Sequence, residues 1–241
     1  MVNDKPKILT IDIETAPNTV HTWGLFKQNI SVNQIVEPGY ILCFAAKWLG
    51  SPEIVSYSKW DDGYEAMLQA AADLITEADA LVTKNGKRFD LPWLQGQFVR
   101  HGIQLPPPTT HIDLDETLKR QFRLASNKLE FVAPYFGVGR KVKHEGFELW
   151  TKVIDGDAVA QRKMLHYCRG DVRVSEKLYL KIRPAIINHP HMGFVPKREC
   201  GACGSPRVHV SKWRRTKAMR IQQLHCQNCG SYFDGIRQKV T

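Results

Sequence analysis

The segment Lys7–Ile13 (KILTIDI), with Glu14 directly after it, decides how the rest of the chain is read. It is short and rich in β-branched residues, so it reads as a buried strand. Asp12 and Glu14 lie two apart, and period-two geometry turns both carboxylates to one face at the strand's C-terminal end. Carboxylates that close repel one another unless a cation lies between them, and hard divalent cations favour oxygen ligands. A solvated strand end would carry the same letters, so Asp-x-Glu alone is weak grounds for a metal.

Working outward, residues 16–38 hold two prolines and several asparagines without a period, and a long loop is expected there. Strands are predicted at Tyr40–Trp48 and Glu53–Ser58, joined by the turn Gly50-Ser51-Pro52. A helix should run from about Gly63 to Glu77, with Leu68, Ala71, Ala72 and Ile75 on one face. Next come a strand at Ala80–Thr83, a helix at Phe89–His101, a short strand at His111–Leu114, and helical stretches near Glu116–Phe122 and Ser126–Phe136. Two helices, Asp157–Cys168 and Asp171–Ile182, finish the body. Strands first and helices interleaved afterwards predict an α/β fold, a mixed sheet flanked by helices. The stretch Arg183–Lys197 has three prolines and no period, which marks a linker. The expected division is a body at 1–183, a linker at 184–197 and a small domain at 198–241.

Bulk properties agree with that plan. With 241 residues, 43% hydrophobic and 24% charged, the chain suits one good-sized domain plus an appendage. No window approaches the roughly 18 apolar residues of a membrane span. Met1–Lys7 is polar and runs straight into a strand, so no signal peptide is expected and a cytoplasmic location is. The net charge of +10 is unevenly placed: residues 197–241 carry ten Lys/Arg against two Asp/Glu, while the rest carries 24 against 22. A basic tail on a near-neutral body points to a polyanionic partner, nucleic acid first.

Two further clusters hold chemistry. In Asn85-Gly86-Lys87-Arg88-Phe89-Asp90 the aspartate falls at a predicted helix N-terminus, where it could equally be a simple cap. Tyr167 and Asp171, in His166-Tyr167-Cys168-Arg169-Gly170-Asp171, are four apart and share a helical face, although a core tyrosine beside a capping aspartate would read the same.

In order, strand Asp-x-Glu, then Asn–loop–Phe-Asp–helix, then Tyr-x-x-x-Asp resemble the three motifs of the DEDD exonuclease superfamily. The wider text ILTIDIETAPN, ADALVTKNGKRFDLPWL and GFELWTKVIDGD with HYCRGDVRVSEKLY is similar to stand-alone DnaQ-like exonucleases, some of them phage-encoded. The resemblance covers roughly residues 7–183 and implies an RNase H-like fold with a five-stranded sheet. It also implies 3′→5′ hydrolysis of nucleic acid, single-stranded DNA favoured, with two Mg²⁺ or Mn²⁺ ions. Asp12 would touch both ions, Glu14 and Asp171 would complete the first site, and Asp90 would serve the second. The superfamily divides by the residue orienting the attacking water: Tyr four before the last Asp, or His five before it. Both are present as Tyr167 and His166, and the surrounding CRGDVRVSEKLY resembles the tyrosine branch. Asn85 and Phe89 would shape the pocket for the 3′-terminal nucleotide, with a core role for Phe89 equally open. Trp23, in the loop Thr22-Trp23-Gly24-Leu25-Phe26, could stack a terminal base or simply pack on the surface.

At the C-terminus, Cys200-x-x-Cys203-Gly and Cys226-x-x-Cys229-Gly stand 22 residues apart. Four thiolates at this spacing suit one tetrahedral structural Zn²⁺ in a zinc ribbon, ahead of an iron–sulfur cluster or redox pairs. Between them Lys212, Trp213, Arg214 and Arg215 interleave basic and aromatic side chains, a pattern that tracks phosphates while stacking a base. Three functions remain: a DNA exonuclease, a nuclease acting on RNA or on particular structures, and a non-catalytic nucleic-acid binder. The last would be expected to lose an acidic ligand, and none is lost. No polymerase region follows, so proofreading would need a separate DNA polymerase as partner; a single-strand-binding protein is another candidate.

Overall fold

The computed structural model describes residues 6–187, 189–193 and 198–240. Along the chain run β1 (Ile8–Thr15), β2 (Thr19–Val20), β3 (Ile35–Glu37), β4 (Ile41–Trp48), β5 (Val55–Ser58), α1 (Tyr64–Glu77), β6 (Ala80–Thr83) and α2 (Asp90–Arg100). After these come β7 (Thr110–Asp113), α3 (Leu114–Gln121), α4 (Leu129–Tyr135), α5 (Phe147–Ile154), α6 (Ala158–Ile182), β8 (Val208–Arg215), β9 (Met219–Cys226) and β10 (Tyr232–Lys239). Five strands form one mixed sheet in the order β5-β4-β1-β6-β7, antiparallel at β5-β4-β1 and parallel at β1-β6-β7. Among the described residues no helix is long and apolar enough to cross a membrane.

Strand β1 sits at the centre, and its alternation sorts the chemistry. Leu9, Ile11 and Ile13 are buried with Met67, Leu68 and Phe98 under α1 and α2. The even-numbered residues, including Asp12 and Glu14, therefore face the opposite layer, where α5 and α6 pack on β4 through Leu149, Met164 and Val172. A third apolar cluster joins Ile8, Val82 and Ile112 to Leu118, Val132 and Leu178 of α3, α4 and α6.

Two expectations are corrected. Residues 16–38 contain the short antiparallel pair β2–β3, whose stub strands are too brief to show a period. The two predicted final helices are one, the 25-residue α6, which runs unbroken through Gly170. Glycine is needed there for contact rather than for a break: a Cβ at 170 would lie 2.5 Å from Val142 Cγ2. We expect Gly170→Ala to cost about 1–3 kcal/mol, read as a lower urea midpoint, because a β-branched neighbour cannot rotate away cheaply. Helix α5 has no counterpart among the predicted elements.

The last three strands form a separate antiparallel sheet, ordered β10-β9-β8. Of the predicted linker, Asn188 and residues 194–197 lie outside the described residues. Part of the remainder packs on the body: Met192 is buried beside Tyr179, and His189 stacks on the Tyr179 ring at 5.8 Å. Arg183, buried against Tyr179, reaches Ala202 O at 3.5 Å and so joins α6 to the small sheet.

Candidate functional site

Asp12 and Glu14 lie side by side on β1, and their carboxylates come within 4.8 Å of each other and of Cys168 Sγ on α6. Asp90 enters from the first turn of α2 and is buried, its Oδ1 accepting from Ile13 N at 3.1 Å. It does not cap its own helix, so the capping alternative falls away. Asp171 sits mid-helix on α6, not at a helix start. Tyr167, one turn earlier, is buried, whereas His166 faces solvent.

The loop that delivers Asp90 is held by a residue the sequence reading missed. Asp113, at the end of β7, accepts from Asn85 N at 2.9 Å and Lys87 N at 3.1 Å. Asn85 adopts a left-handed backbone, φ 71°, a conformation asparagine tolerates better than most residues. Phe89 is 40% exposed and leans on Trp93 at 6.4 Å, so it is not a core residue. Trp23 is wholly exposed, with Leu25 and Phe26 beside it in the β2–β3 connection.

Three more residues at the site went unread in the sequence. Lys141 Nζ lies 2.9 Å from Asp171 Oδ2 and 4.8 Å above the Tyr167 ring. His144 packs edge-on against the same ring at 4.7 Å, and Trp150 at 6.0 Å. Trp150 Nε1 donates to Thr15 O at 3.1 Å, which ties α5 to the end of β1. The signal available was the basic, aromatic run from Arg140 to Trp150 inside an otherwise unassigned stretch. Cys168, which the sequence leaves solitary, donates to Asp12 O at 3.5 Å. The carboxylates Asp12 and Asp171 open into a cleft of about 300 Å³ rimmed by Lys84, Lys128, Glu130 and Lys141. A separate hollow of about 530 Å³ is lined by Tyr167, His144, Leu149, Arg162 and His166.

Crowding shapes the electrostatics. Burial, then Asp90 and Asp171, hold the Asp12 carboxyl well above the usual range. Burial and then Asp12 do the same to Glu14. Burial pushes Asp90 up to about 7. Asp171 is also raised by burial, with Lys141 pulling it part of the way back. Burial raises Tyr167 too, so its phenol keeps its proton. Such a set is strained without compensating positive charge, and Lys141, the lysine whose field reaches Asp12, Glu14 and Asp171, does not balance four acids. Asp171 Oδ1 is buried and meets no donor among the described residues. An orphaned carboxylate oxygen among crowded acids fits oxygen-preferring divalent cations.

A second ligand set lies in the small sheet. Cys200 Sγ is 3.6 Å from Cys229 Sγ, and Cys203 Sγ is 3.7 Å from Cys226 Sγ. A tetrahedron with bonds of about 2.3 Å has edges of about 3.8 Å, so the four sulfurs are spaced for one metal. The two knuckles repeat one hydrogen-bond pattern. Cys200 N donates to Ser205 O and Gly204 N to Cys200 O, while Cys226 N donates to Ser231 O and Gly230 N to Cys226 O. Burial opposes ionisation of Cys229, but hydrogen bonding with Ser231 brings its thiol down to about 7.

The basic segment between the knuckles divides over the two faces of its sheet. Lys212 and Arg214 pair with Gln223 and Ile221 on one face, while Trp213 and Arg215 pair with Gln222 and Arg220 on the other. Arg220 covers the Trp213 ring at 4.5 Å.

A central strand bearing Asp-x-Glu, two more buried aspartates brought to it by flanking helices and a mixed five-stranded sheet define an RNase H-like fold with an acidic cluster at its centre. Residues 9–183 match the RNase_H superfamily, and the chain belongs to it. In fold it is similar to the family B DNA polymerase of the hyperthermophilic archaeon Pyrobaculum calidifontis, with TM-score 0.57 and 18% identity over 74% of this chain. The match takes in 25% of the polymerase, so this chain spans about a quarter of that length. No curated protein matches it in sequence.

Proposed function

We propose that the protein is a 3′→5′ exonuclease of the DEDD tyrosine branch that trims DNA, single strands preferred, and releases nucleoside monophosphates. The observation that carries this reading is the convergence of Asp12, Glu14, Asp90 and Asp171, with Asp171 Oδ1 unpartnered. Asp12, Glu14, Asp90 and Asp171 would hold two Mg²⁺ or Mn²⁺ ions, which when bound supply an activated water and neutralise the scissile phosphate. Tyr167, kept protonated, can donate toward that water or the phosphate. Lys141 holds the Tyr167 ring and Asp171 in register. Phe89 and Asn85 are assigned to the terminal nucleotide, Trp23 to stacking beyond it. Cys200, Cys203, Cys226 and Cys229 are assigned to structural zinc in a ribbon that folds as its own domain.

The test is digestion of 3′- and 5′-labelled DNA and RNA oligonucleotides with Mg²⁺ or Mn²⁺, by wild type and Asp12→Ala. Stepwise shortening from the 3′ end by the wild type alone supports the proposal; internal cuts, loss from the 5′ end or an unaffected variant overturns it. RNA digested in preference to DNA would move the substrate class.

Tyr167→Phe should lower kcat by about 10²-fold or more, while His166→Ala stays near wild type. The reverse ranking in single-turnover assays would place the protein in the histidine branch. Lys141→Ala should cost about 10²-fold in kcat. Because a competing cation is removed from Asp171, it should also lower the Mn²⁺ concentration giving half-maximal rate. A Mn²⁺ titration of both proteins separates these effects.

A further inference from the structure

We infer that one face of the C-terminal sheet, the side turned away from the cysteine knuckles, is a base-stacking platform for single-stranded nucleic acid. The inference rests on the nucleic-acid substrate proposed above and names a surface for it. Strand register sets the argument: His209 pairs with His225, and His225 with Tyr232, so three planar side chains stand in a row across all three strands on one face. His209 and His225 meet edge-on at 5.1 Å, and His225 and Tyr232 stack at 4.4 Å with 28° between planes. Tyr232 is 57% exposed. The core of this small domain lies on the other face, where Cys200, Ala202 and Cys226 gather Val208 and Phe233. The row of rings lies outside that cluster.

The surroundings match a polyanion. The next rows on the same face are Lys212 with Gln223 and Asp234, Arg214 with Ile221 and Arg237, and Lys239 beside Met219. Asp234 is shared by Arg214 at 2.8 Å and Arg237 at 3.1 Å, which leaves that trio positive. Rings bordered by phosphate-reading cations bind bases that are free of a duplex stack, because a paired base offers no open π-face. The domain is tied to the end of α6 by Arg183. That is twelve residues beyond Asp171, roughly 18 Å along the helix, a span a strand must cover if its 3′ end lies at the carboxylates.

The test uses the full-length, zinc-loaded chain in an Asp12→Ala background, so that the probe survives. Fluorescence anisotropy with a 5′-labelled oligothymidylate of about 15 nucleotides, chosen near the span of one binding module, reads affinity across a salt series. Tyr232→Ala and His225→Ala should each weaken binding about 5- to 100-fold, and Tyr232→Trp should restore it. Lys212→Ala should reduce the salt slope by about one. Trp213→Ala, on the opposite face, should bind like its parent. Parental affinity in both ring variants, with circular dichroism and zinc content unchanged, overturns the inference, as does a duplex bound as tightly as the single strand. Should the wild type digest DNA while the ring variants bind normally, only the platform is lost. Should it neither bind nor digest any polynucleotide, the proposed function goes with it.

Discussion

Asp90→Asn is expected to do two opposite things: end hydrolysis, and make the fold more stable at pH 8 when Mg²⁺ and Mn²⁺ are absent. The loss of activity should exceed about 10³-fold, since the cation ligand proposed at Asp90, worth several kcal/mol of transition-state stabilisation, is gone. The stability gain follows from linkage. An unfolded aspartate titrates near 3.9, whereas in the fold burial pushes Asp90 up to about 7. Between those values the folded state binds more protons than the unfolded one, so stability falls as pH rises through that window and stays reduced above it. Asparagine removes the buried charge and can still accept the hydrogen bond from Ile13 N. Thermal melts should therefore show the variant ahead at pH 8 and level with the parent near pH 4. Added Mn²⁺ should stabilise the parent much more than the variant. A variant that melts lower at pH 8, or that still hydrolyses DNA, contradicts this account.

Cys226→Ser should collapse the C-terminal sheet while the body survives. The module has about 45 residues and a core of a few side chains around the sulfurs, so the metal would supply much of its folding free energy, about 10–16 kcal/mol for structural zinc sites of this kind. Loss of one thiolate should strip zinc from the purified protein and expose β8–β10 amides to rapid exchange. The body should keep its own melting transition and a kcat close to parental on short oligonucleotides, with a raised KM. A variant that retains zinc and protected amides would assign the stability of the ribbon to something other than the metal.

Legibility differed between parts of the molecule for physical reasons. The strand carrying Asp12 and Glu14 was readable because side-chain alternation is a local property, and every second residue must share a face. Helix α1 was readable for the matching reason at period 3.6. Gly170 misled because local propensity treats glycine as a helix breaker, while the fold uses its missing Cβ to admit Val142. That substitution of a contact for a break is what places Tyr167, Cys168 and Asp171 on one continuous helix over β1.

Sequence alone determined the order of the acidic motifs, the α/β plan, the paired cysteine knuckles and the basic C-terminal tail, since each follows from spacing or composition. Only the tertiary structure decided which partners reach those motifs. Lys141 and His144 lie far from Asp12 along the chain and arrive at Tyr167 and Asp171 because the segment before α5 folds over α6. It also divided Lys212 and Arg214 from Trp213 and Arg215, and it aligned His209, His225 and Tyr232. Strand register and bulges set those faces, and they follow from pairing between strands, which no single stretch of sequence contains.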